Sequence, residues 1–268
     1  MIKAKYLGFL NTPPLWEKQQ FDIQQFEFPN LKLQSFQPTT IPGNIRLGHQ
    51  VEYIFKQLLE YTEAYNVLIY NLPIRQEKNT LGEIDFILKD KSSNQLIHVE
   101  LTYKFYLINP GIPEPIHSLI GPNRRDTFFL KMEKIKNKQF PLLHSPAGIK
   151  ALHDQNINHL KIEHQCCFKA QLFQLYGSKV INIGSLNKKC LAGYWLRFND
   201  FNQAEFANAQ FYLPTKSEWI IEPNDQVVWK SHIEIMMEIN SRFLKKIAPM
   251  IWLKNTKGEI EKLFVVWW

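Results

Sequence analysis

The stretch from residue 82 to residue 104, GEIDFILKDKSSNQLIHVELTYK, constrains the fold more than any other part of the sequence. Two runs rich in Ile, Phe, Leu and Val flank the polar segment DKSSNQ, a pattern typical of two antiparallel strands joined by a turn. Acidic residues interrupt the runs, at Glu83 and Asp85 in the first and at Glu100 in the second. An unpaired charge is costly to bury, so these positions either face solvent or have a function that requires them.

The turn determines which residues of the two strands lie opposite each other. If residues 91–94 form the loop, Asp90 pairs with Gln95. The same register places Asp85 directly opposite Glu100. Opposed residues have Cβ atoms roughly 4.5–5.5 Å apart, a distance at which two carboxylates repel each other unless a cation lies between them.

Two carboxylates on adjacent strands, together with backbone carbonyl and water oxygens, suit Mg²⁺ or Mn²⁺. Lys104 projects to the same side of its strand as Glu100, where it could hold the attacking water or stabilise charge on a phosphate. These residue types are typical of metal-assisted hydrolysis of a phosphodiester. The alternative interpretation is a hairpin with one solvated, charged face, and the spacing alone favours neither.

Patterns elsewhere predict an α/β fold built on one mixed sheet. Apolar residues at helical spacing predict an amphipathic helix over roughly 46–64, and the strand after it contains Pro73, which marks an edge or an end. After the hairpin, RRDTFFLKMEKIKNKQF predicts a helix that ends before Pro141. A shorter helix is expected near 147–156 and a strand at 165–176. The order is helix, three strands, helix, strand.

The chain is predicted to divide into three regions. Residues 1–44 form a leader packed on the core, residues 45–178 form the α/β core, and residues 179–268 form a β-rich C-terminal extension or subdomain. The last region contains the strand-like AGYWLRF, a helical segment and a terminal hairpin whose turn, from Asn255 to Gly258, has favourable turn residues.

The charge balance favours a polyanionic partner such as nucleic acid. The net charge is +7 and the sequence pI about 9.1. Without a secretory leader or an apolar run long enough to cross a bilayer, we expect a cytoplasmic protein with no membrane partner. Adjacent cysteines such as Cys166 and Cys167 rarely bridge each other, and with Cys190 they are expected to be buried structural thiols.

Basic residues crowd the helix predicted after the hairpin. Arg124 and Arg125 precede it, and Lys131, Lys134 and Lys138 recur at i, i+3 and i+7, opposite an apolar stripe. One interpretation is a set of phosphate contacts that position a nucleic acid. The other is an ordinary solvated helix face.

Other motifs exclude some classes of protein. No glycine-rich phosphate loop occurs, so a nucleotide-driven motor or a dinucleotide enzyme is not expected. His153, His159 and His164 have irregular spacing and are interpreted as surface or capping residues rather than zinc ligands. His98 shares the face of Glu100 and is expected beside the acids.

Together these elements resemble a known superfamily. The sequence GEIDFI, followed by a hairpin and HVEL, resembles the core motif of the PD-(D/E)XK, or restriction-endonuclease-like, nucleases, over roughly residues 45–176. The resemblance implies an αβββαβ core with a C-terminal extension like that of an uncharacterised branch. It also implies that Asp85 and Glu100 are metal ligands and that Glu52 reaches them from the first helix, directly or through water. Glu83 is interpreted as the rim of the site.

One position departs from the pattern of the superfamily. Its lysine lies two residues after the second acid, where this chain has Thr102. Lys104 lies on the same side of the strand, about 6.6 Å further along, and is expected to replace the missing lysine. We therefore expect a Mg²⁺- or Mn²⁺-dependent nuclease acting on nucleic acid, with DNA as the expected substrate. The alternatives are a catalytically degenerate nucleic-acid-binding protein and a non-enzymatic interaction module.

Overall fold

The computed structural model describes residues 2–31, 33–179, 182–201 and 204–268. The α-helices are α1 (Ile2–Asn11), α2 (Leu47–Thr62), α3 (Pro115–Ser118), α4 (Phe128–Lys134), α5 (Phe140–Leu143), α6 (Pro146–His153), α7 (Phe198–Phe201) and α8 (His232–Phe243). A π-helix covers Ile135–Gln139, and 3₁₀-helices cover His159–Lys161, Lys188–Cys190, Ala204–Phe206 and Lys216–Glu218.

The strands of the described residues belong to one sheet. They are β1 (Gln19–Gln20), β2 (Ile23–Gln25), β3 (Tyr65–Gln76), β4 (Asn79–Asp90), β5 (Leu96–Ile108), β6 (Leu119–Ile120), β7 (Ile162–Leu175), β8 (Leu191–Arg197), β9 (Gln210–Tyr212), β10 (Met250–Lys254) and β11 (Ile260–Val266). The main order is β3-β4-β5-β7-β8-β11-β10-β9. The predicted α/β class with a mixed central sheet and C-terminal strands is confirmed.

The sheet changes direction at β5. β3, β4 and β5 run antiparallel to one another in turn, whereas the successive pairs β5–β7, β7–β8 and β8–β11 are parallel. β11 and β10 are again antiparallel. The order α2, β3, β4, β5, α4, β7 is the helix, three strands, helix and strand expected from the sequence. The strands after residue 190 continue the same sheet, because β8 pairs directly with β7.

Helices cover both faces of the central strands. Val51 and Phe55 of the amphipathic α2 join one core with Phe86 of β4. Phe128 of α4 joins another core with Phe168 of β7. The leader also contacts the core, since β2 pairs in parallel with β7. β3 lies at one edge of the sheet, where its proline removes no needed ladder hydrogen bond.

The expectation that the helix after the hairpin ends before Pro141 is wrong. The π-helix follows α4 directly, and at its end the Phe140 N–H bonds to the Ile135 carbonyl, five residues back. Pro141 then falls in the first turn of α5, directly after the π-helix. The helical segment therefore continues to Leu143 and carries Gln139 toward the hairpin.

The cysteines are buried as expected, each as a free thiol in the described structure. Among the helices of the described residues, none combines the length and apolar character needed to cross a membrane.

Candidate active site

The antiparallel ladder between β4 and β5 has the expected register and its last recorded pair is Phe86 with Val99. Beyond that pair, the side chain of Asp85, rather than its backbone, bonds to β5. The Asp85 Oδ2 atom accepts the backbone N–H of Leu101 at 2.9 Å. This bond holds the Asp85 carboxyl against β5, close enough to Glu100 for the charge of Glu100 to raise the pKa of Asp85. The structure therefore brings the two acids together.

The acid pair is poorly solvated. Glu100 is fully buried, and Asp85 is partly exposed to solvent. Burial raises the pKa of Glu100 to about 7. Burial also raises the pKa of Asp85 well above its ordinary value, and the charge of Glu100 raises it further. Near neutral pH the pair therefore needs a shared proton or a cation, because two adjacent buried carboxylates repel each other.

Lys131 of α4 lies beside this pair. Its Nζ donates to Gln139 Oε1 at 2.9 Å, and Gln139 Nε2 donates to Glu100 Oε2. Burial lowers the pKa of Lys131. In return, the charge of Lys131 opposes the rise in pKa of both Glu100 and Asp85. Lys131 thus turns inward to the acids, whereas Lys134 and Lys138, expected on the same stripe, remain exposed.

Lys104 has a different partner. Its Nζ lies 2.6 Å from Asp126 Oδ2, and both side chains are partly exposed. The Thr102 hydroxyl, at the position where the superfamily has lysine, is buried and has no hydrogen-bond partner among the described residues. Of the two lysines, Lys131 is the one whose charge acts on Glu100 and Asp85.

Glu52 approaches the site from α2 but is held by two neighbours. Its Oε2 atom accepts from Asn71 Nδ2 at 2.8 Å and lies 3.1 Å from His49 Nδ1. Asn71 has a left-handed backbone (φ 52°) in β3, at the position opposite Asp85. The charge of Glu52 raises the pKa of Asp85, and after burial it also raises that of Glu83. Glu52 therefore acts on the acid pair through its charge, while its carboxylate is hydrogen-bonded to Asn71.

The donor set fits a hard divalent cation held by two carboxylates. Within the residues the structure describes, no group of three or more His, Cys, Asp or Glu side chains is placed to hold a metal ion. Glu52 is held by Asn71 and His49, and its role as a ligand, direct or through water, stays a prediction. Mg²⁺ needs only one or two carboxylates, since it keeps waters and takes substrate oxygens. Among the described residues, the buried Oδ1 atom of Asn71 has no hydrogen-bond partner. It is a further oxygen on the strand next to Asp85.

Three histidines connect Glu100 to the surface. His98 Nε2 lies 3.2 Å from Glu100 Oε1, and His98 Nδ1 lies 2.9 Å from His164 Nδ1. His164 Nε2 lies 2.8 Å from His144 Nε2, at an exposed position. Burial lowers the pKa of His98 to about 3 and that of His164 to about 4. With neutral rings the three bonds run in one common sense, toward Glu100 when it is a carboxylate and away from it when it carries the proton.

A cleft of about 660 Å³ adjoins the pair. Its walls come from the start of α2, residues 101–105 of β5, the loop at 122–126, and residues 216–219 of the C-terminal region. The lining carries five basic side chains: Arg46, Lys104, Arg125, Lys131 and Lys216. It also carries Glu52 and Asp126. Arg124, outside this lining, lies over the Trp268 ring at 5.0 Å.

Comparison with known proteins identifies the family. Residues 8–266 match the sequence model of a domain of unknown function, DUF1853. The chain belongs to the DUF1853 family. No curated protein and no solved structure matches it. The match spans the acid pair, α2 and the cleft of this DUF1853 chain, and the resemblance to PD-(D/E)XK nucleases stays a prediction.

Sequence reasoning missed Asn71 and Gln139, and it predicted Lys131 only as a phosphate contact and not as a neighbour of the acid pair. Asn71 offered a signal, since an asparagine two residues before Pro73 in an apolar strand is suited to a left-handed backbone. Lys131 offered another, because it is adjacent to Met132 of the apolar stripe. Gln139 offered none, since its approach to Glu100 depends on the π-helix.

Proposed function

We propose that this protein is a metal-dependent nuclease that hydrolyses phosphodiester bonds in nucleic acid, with DNA as the expected substrate. The observation that carries the proposal is the acid pair at the end of the β4–β5 ladder. Asp85 uses its carboxylate to take a backbone N–H of β5 and thereby stands beside Glu100. Two desolvated like charges with raised pKa values, next to a basic cleft, are typical of a site that accepts a cation and a phosphate. A cytoplasmic location is part of this proposal.

Each residue has a distinct role in the proposed site. Asp85 and Glu100 would hold a Mg²⁺ or Mn²⁺ ion, which supplies positive charge to the phosphodiester and lowers the pKa of water when bound. Gln139 and His98 hold the two oxygens of Glu100 and so fix the direction of its carboxylate. Glu52 supports the pair by adding negative charge from α2.

Lys131 is placed to act on the reaction itself. Its ammonium group bonds to Gln139, which in turn bonds to Glu100, and it lines the cleft, so in this proposal it orients a water or stabilises charge on the phosphate. Lys104, proposed from the sequence for this role, is paired with Asp126 in the same cleft. Arg125 also lines the cleft and, with the exposed Lys134 and Lys138, offers phosphate contacts that carry no sequence information. Arg124 is exposed beside Trp268 and completes this basic set.

One observation supports a second candidate, a nucleic-acid-binding protein without catalysis. Thr102 occupies the position of the superfamily lysine, and its hydroxyl makes no hydrogen bond within the described structure. If Lys131 does not replace that lysine, the same cleft binds nucleic acid without cutting it.

Asp85→Asn provides the test. We expect the wild-type protein with Mn²⁺ to nick plasmid or cut oligonucleotides, and Asp85→Asn to lose at least about 10³-fold in turnover, because a ligand and the Leu101 bond are both weakened. Mn²⁺ binding, followed by calorimetry, should also weaken. The matched control is Glu83→Gln, a carboxylate of the same strand that we place at the rim.

Two results would count against this function. Equal cleavage by wild type and Asp85→Asn would show that the activity arises elsewhere. If the wild type binds Mn²⁺ and nucleic acid but cuts no plasmid, branched, duplex or single-stranded substrate, the non-catalytic candidate replaces the nuclease.

A further inference from the structure

Glu100 is bonded at both of its carboxylate oxygens, and one of these bonds continues away from the acid pair. Gln139 Nε2 donates to Oε2, and His98 Nε2 lies 3.2 Å from Oε1. A carboxylate has about four lone-pair sites, so these two bonds leave about two of them for a cation. The two bonding neighbours therefore determine where the remaining sites point.

His98 needs a further neighbour to keep its ring in place. It is fully buried in β5, and a neutral imidazole has one N–H and one bare nitrogen. Burial keeps both inner rings of the chain neutral, because it lowers the pKa of His98 to about 3 and that of His164 to about 4. When Glu100 is a carboxylate, His98 Nε2 has to donate to it. His98 Nδ1 is then a buried acceptor that needs a donor.

His164 provides that donor, and His144 supports it. His98 and His164 are in register on the parallel strands β5 and β7, and their Nδ1 atoms are 2.9 Å apart. His164 Nε2 lies 2.8 Å from Nε2 of the exposed His144. If His144 donates to His164, then His164 donates to His98 and His98 donates to Glu100. Both nitrogens of each inner ring are then satisfied.

One segment of the chain reaches Glu100 from both sides. The π-helix ends at Gln139, which bonds directly to the carboxylate. α5 begins with Phe140, whose ring stacks on His164 with centroids 4.7 Å apart and an angle of 26° between the planes. His144 directly follows the last residue of α5. The segment thus bonds one oxygen of Glu100 itself and reaches the other through the histidines.

We propose that His164 and His144 are positioning residues for the metal site, which act through His98 to hold the Glu100 carboxylate in the orientation that takes the cation. This role rests on the proposed function for the cation, and it adds two residues outside the lining of the cleft. Loss of a hydrogen-bonding partner behind a metal ligand typically lowers metal affinity about 10–100-fold. A histidine at the surface is thereby connected to the metal affinity of the buried acid pair.

The test is Mn²⁺ binding, measured by calorimetry in variants of the histidines. His164→Leu removes the donor to His98 and should weaken Mn²⁺ binding at least about tenfold. His164→Asn keeps an amide N–H at about the position of Nδ1 and should bring the affinity back to within about threefold of wild type. His144→Leu should weaken binding about threefold, because water can replace an exposed donor.

Nitrogen NMR of isotope-labelled histidine rings adds a readout that a loss of packing alone would not change. With saturating Mg²⁺, the proton of the wild-type His98 ring should be on Nε2. The signal of His98 Nδ1 should move in His164→Leu, since it loses its donor, and return in His164→Asn.

The matched control is His153→Leu, at an exposed position of α6 outside this chain, which should leave Mn²⁺ affinity unchanged. Thermal unfolding shows which variants are folded. If His164→Leu does not fold, the exposed position of His144 makes His144→Leu the deciding variant.

Three outcomes separate this inference from the proposed function. Equal Mn²⁺ affinity in wild type, His164→Leu and His144→Leu would overturn the inference and leave the proposed function standing. Weaker binding in these variants, with no cleavage by wild type, would keep the inference and reject the nuclease. A wild type that binds no Mn²⁺ would reject both.

Discussion

Two buried polar clusters lie on opposite faces of the central strands, and they differ in how their charges are balanced. On one face, Asp85 and Glu100 stand together near Lys131, with raised carboxyl pKa values. On the other, a chain of donors and acceptors begins at Lys262 and passes through Gln171 to Tyr103. The first cluster has excess negative charge, and the second is a continuous hydrogen-bonded chain.

The second cluster has a structural role, because its polar groups hydrogen-bond to one another. Lys262 Nζ donates to Gln171 Oε1 at 2.9 Å, and Gln171 Nε2 donates to Tyr103 Oη at 2.8 Å. Tyr103 Oη lies 2.6 Å from Thr12 Oγ1, which itself donates to the Gly8 carbonyl at 2.7 Å. This chain links β11, β7 and β5 to the end of α1. A polar network satisfied from within stabilises a fold, whereas one that needs a proton or cation from outside indicates a binding site.

The largest expected effect comes from breaking the satisfied chain. Gln171→Leu leaves the Lys262 ammonium and the Tyr103 hydroxyl without their amide partner in the core. We expect a loss on the order of 3–5 kcal/mol in the free energy of unfolding, measured by urea denaturation. Nuclease turnover of the folded fraction should be unchanged.

Gln174→Leu on the same strand is the matched control. The Oε1 atom of Gln174 is buried without a hydrogen-bond partner in the described structure, so its removal should cost little. Similar losses for the two variants would show that the chain has no special contribution to stability.

Sequence periodicity predicted the element order because helix and strand patterns are local. The hairpin register was also predictable, since the turn fixes it, and the Asp90 N–H indeed donates to the Gln95 carbonyl at 2.9 Å. The acid pair followed from that register. Its surroundings did not, because they depend on contacts between distant segments. His98 lies beside His164 only through the parallel pairing of β5 with β7.

The two clusters are expected to differ in what their lysines do, since Lys131 is proposed to act in the reaction and Lys262 to stabilise the fold. Lys131→Met should lower turnover about 100-fold, equal to about 2.7 kcal/mol of transition-state stabilisation, while Mn²⁺ binding is retained because lysine is not a ligand. Lys104→Met should lower turnover by about tenfold or less, since its ammonium is paired with Asp126. Steady-state kinetics and calorimetry measure both.

Lys150→Met, at an exposed position of α6, controls for the loss of one positive charge. A larger loss for Lys104→Met than for Lys131→Met would restore the assignment made from sequence. Loss of Mn²⁺ binding in Lys131→Met would instead show that this lysine mainly holds the acids in place.

The smallest expected effect is the pH dependence of stability in the metal-free protein. The folded-state pKa of Glu100, about 7, lies above its ordinary value of 4.5. Between these values the folded protein keeps a proton that the unfolded chain has lost, so this group's contribution to stability falls as pH rises through the window. His98 and His164 have lowered pKa values, so their contribution to stability has the opposite dependence on pH.

The measurement is therefore a difference in unfolding free energy between wild type and Glu100→Gln in EDTA. From pH 5 to pH 8 the difference in unfolding free energy should shift toward the variant by on the order of 1–2 kcal/mol. A constant difference across that range would show that the acid pair carries no stored repulsion, and that the contrast between the two faces is wrong.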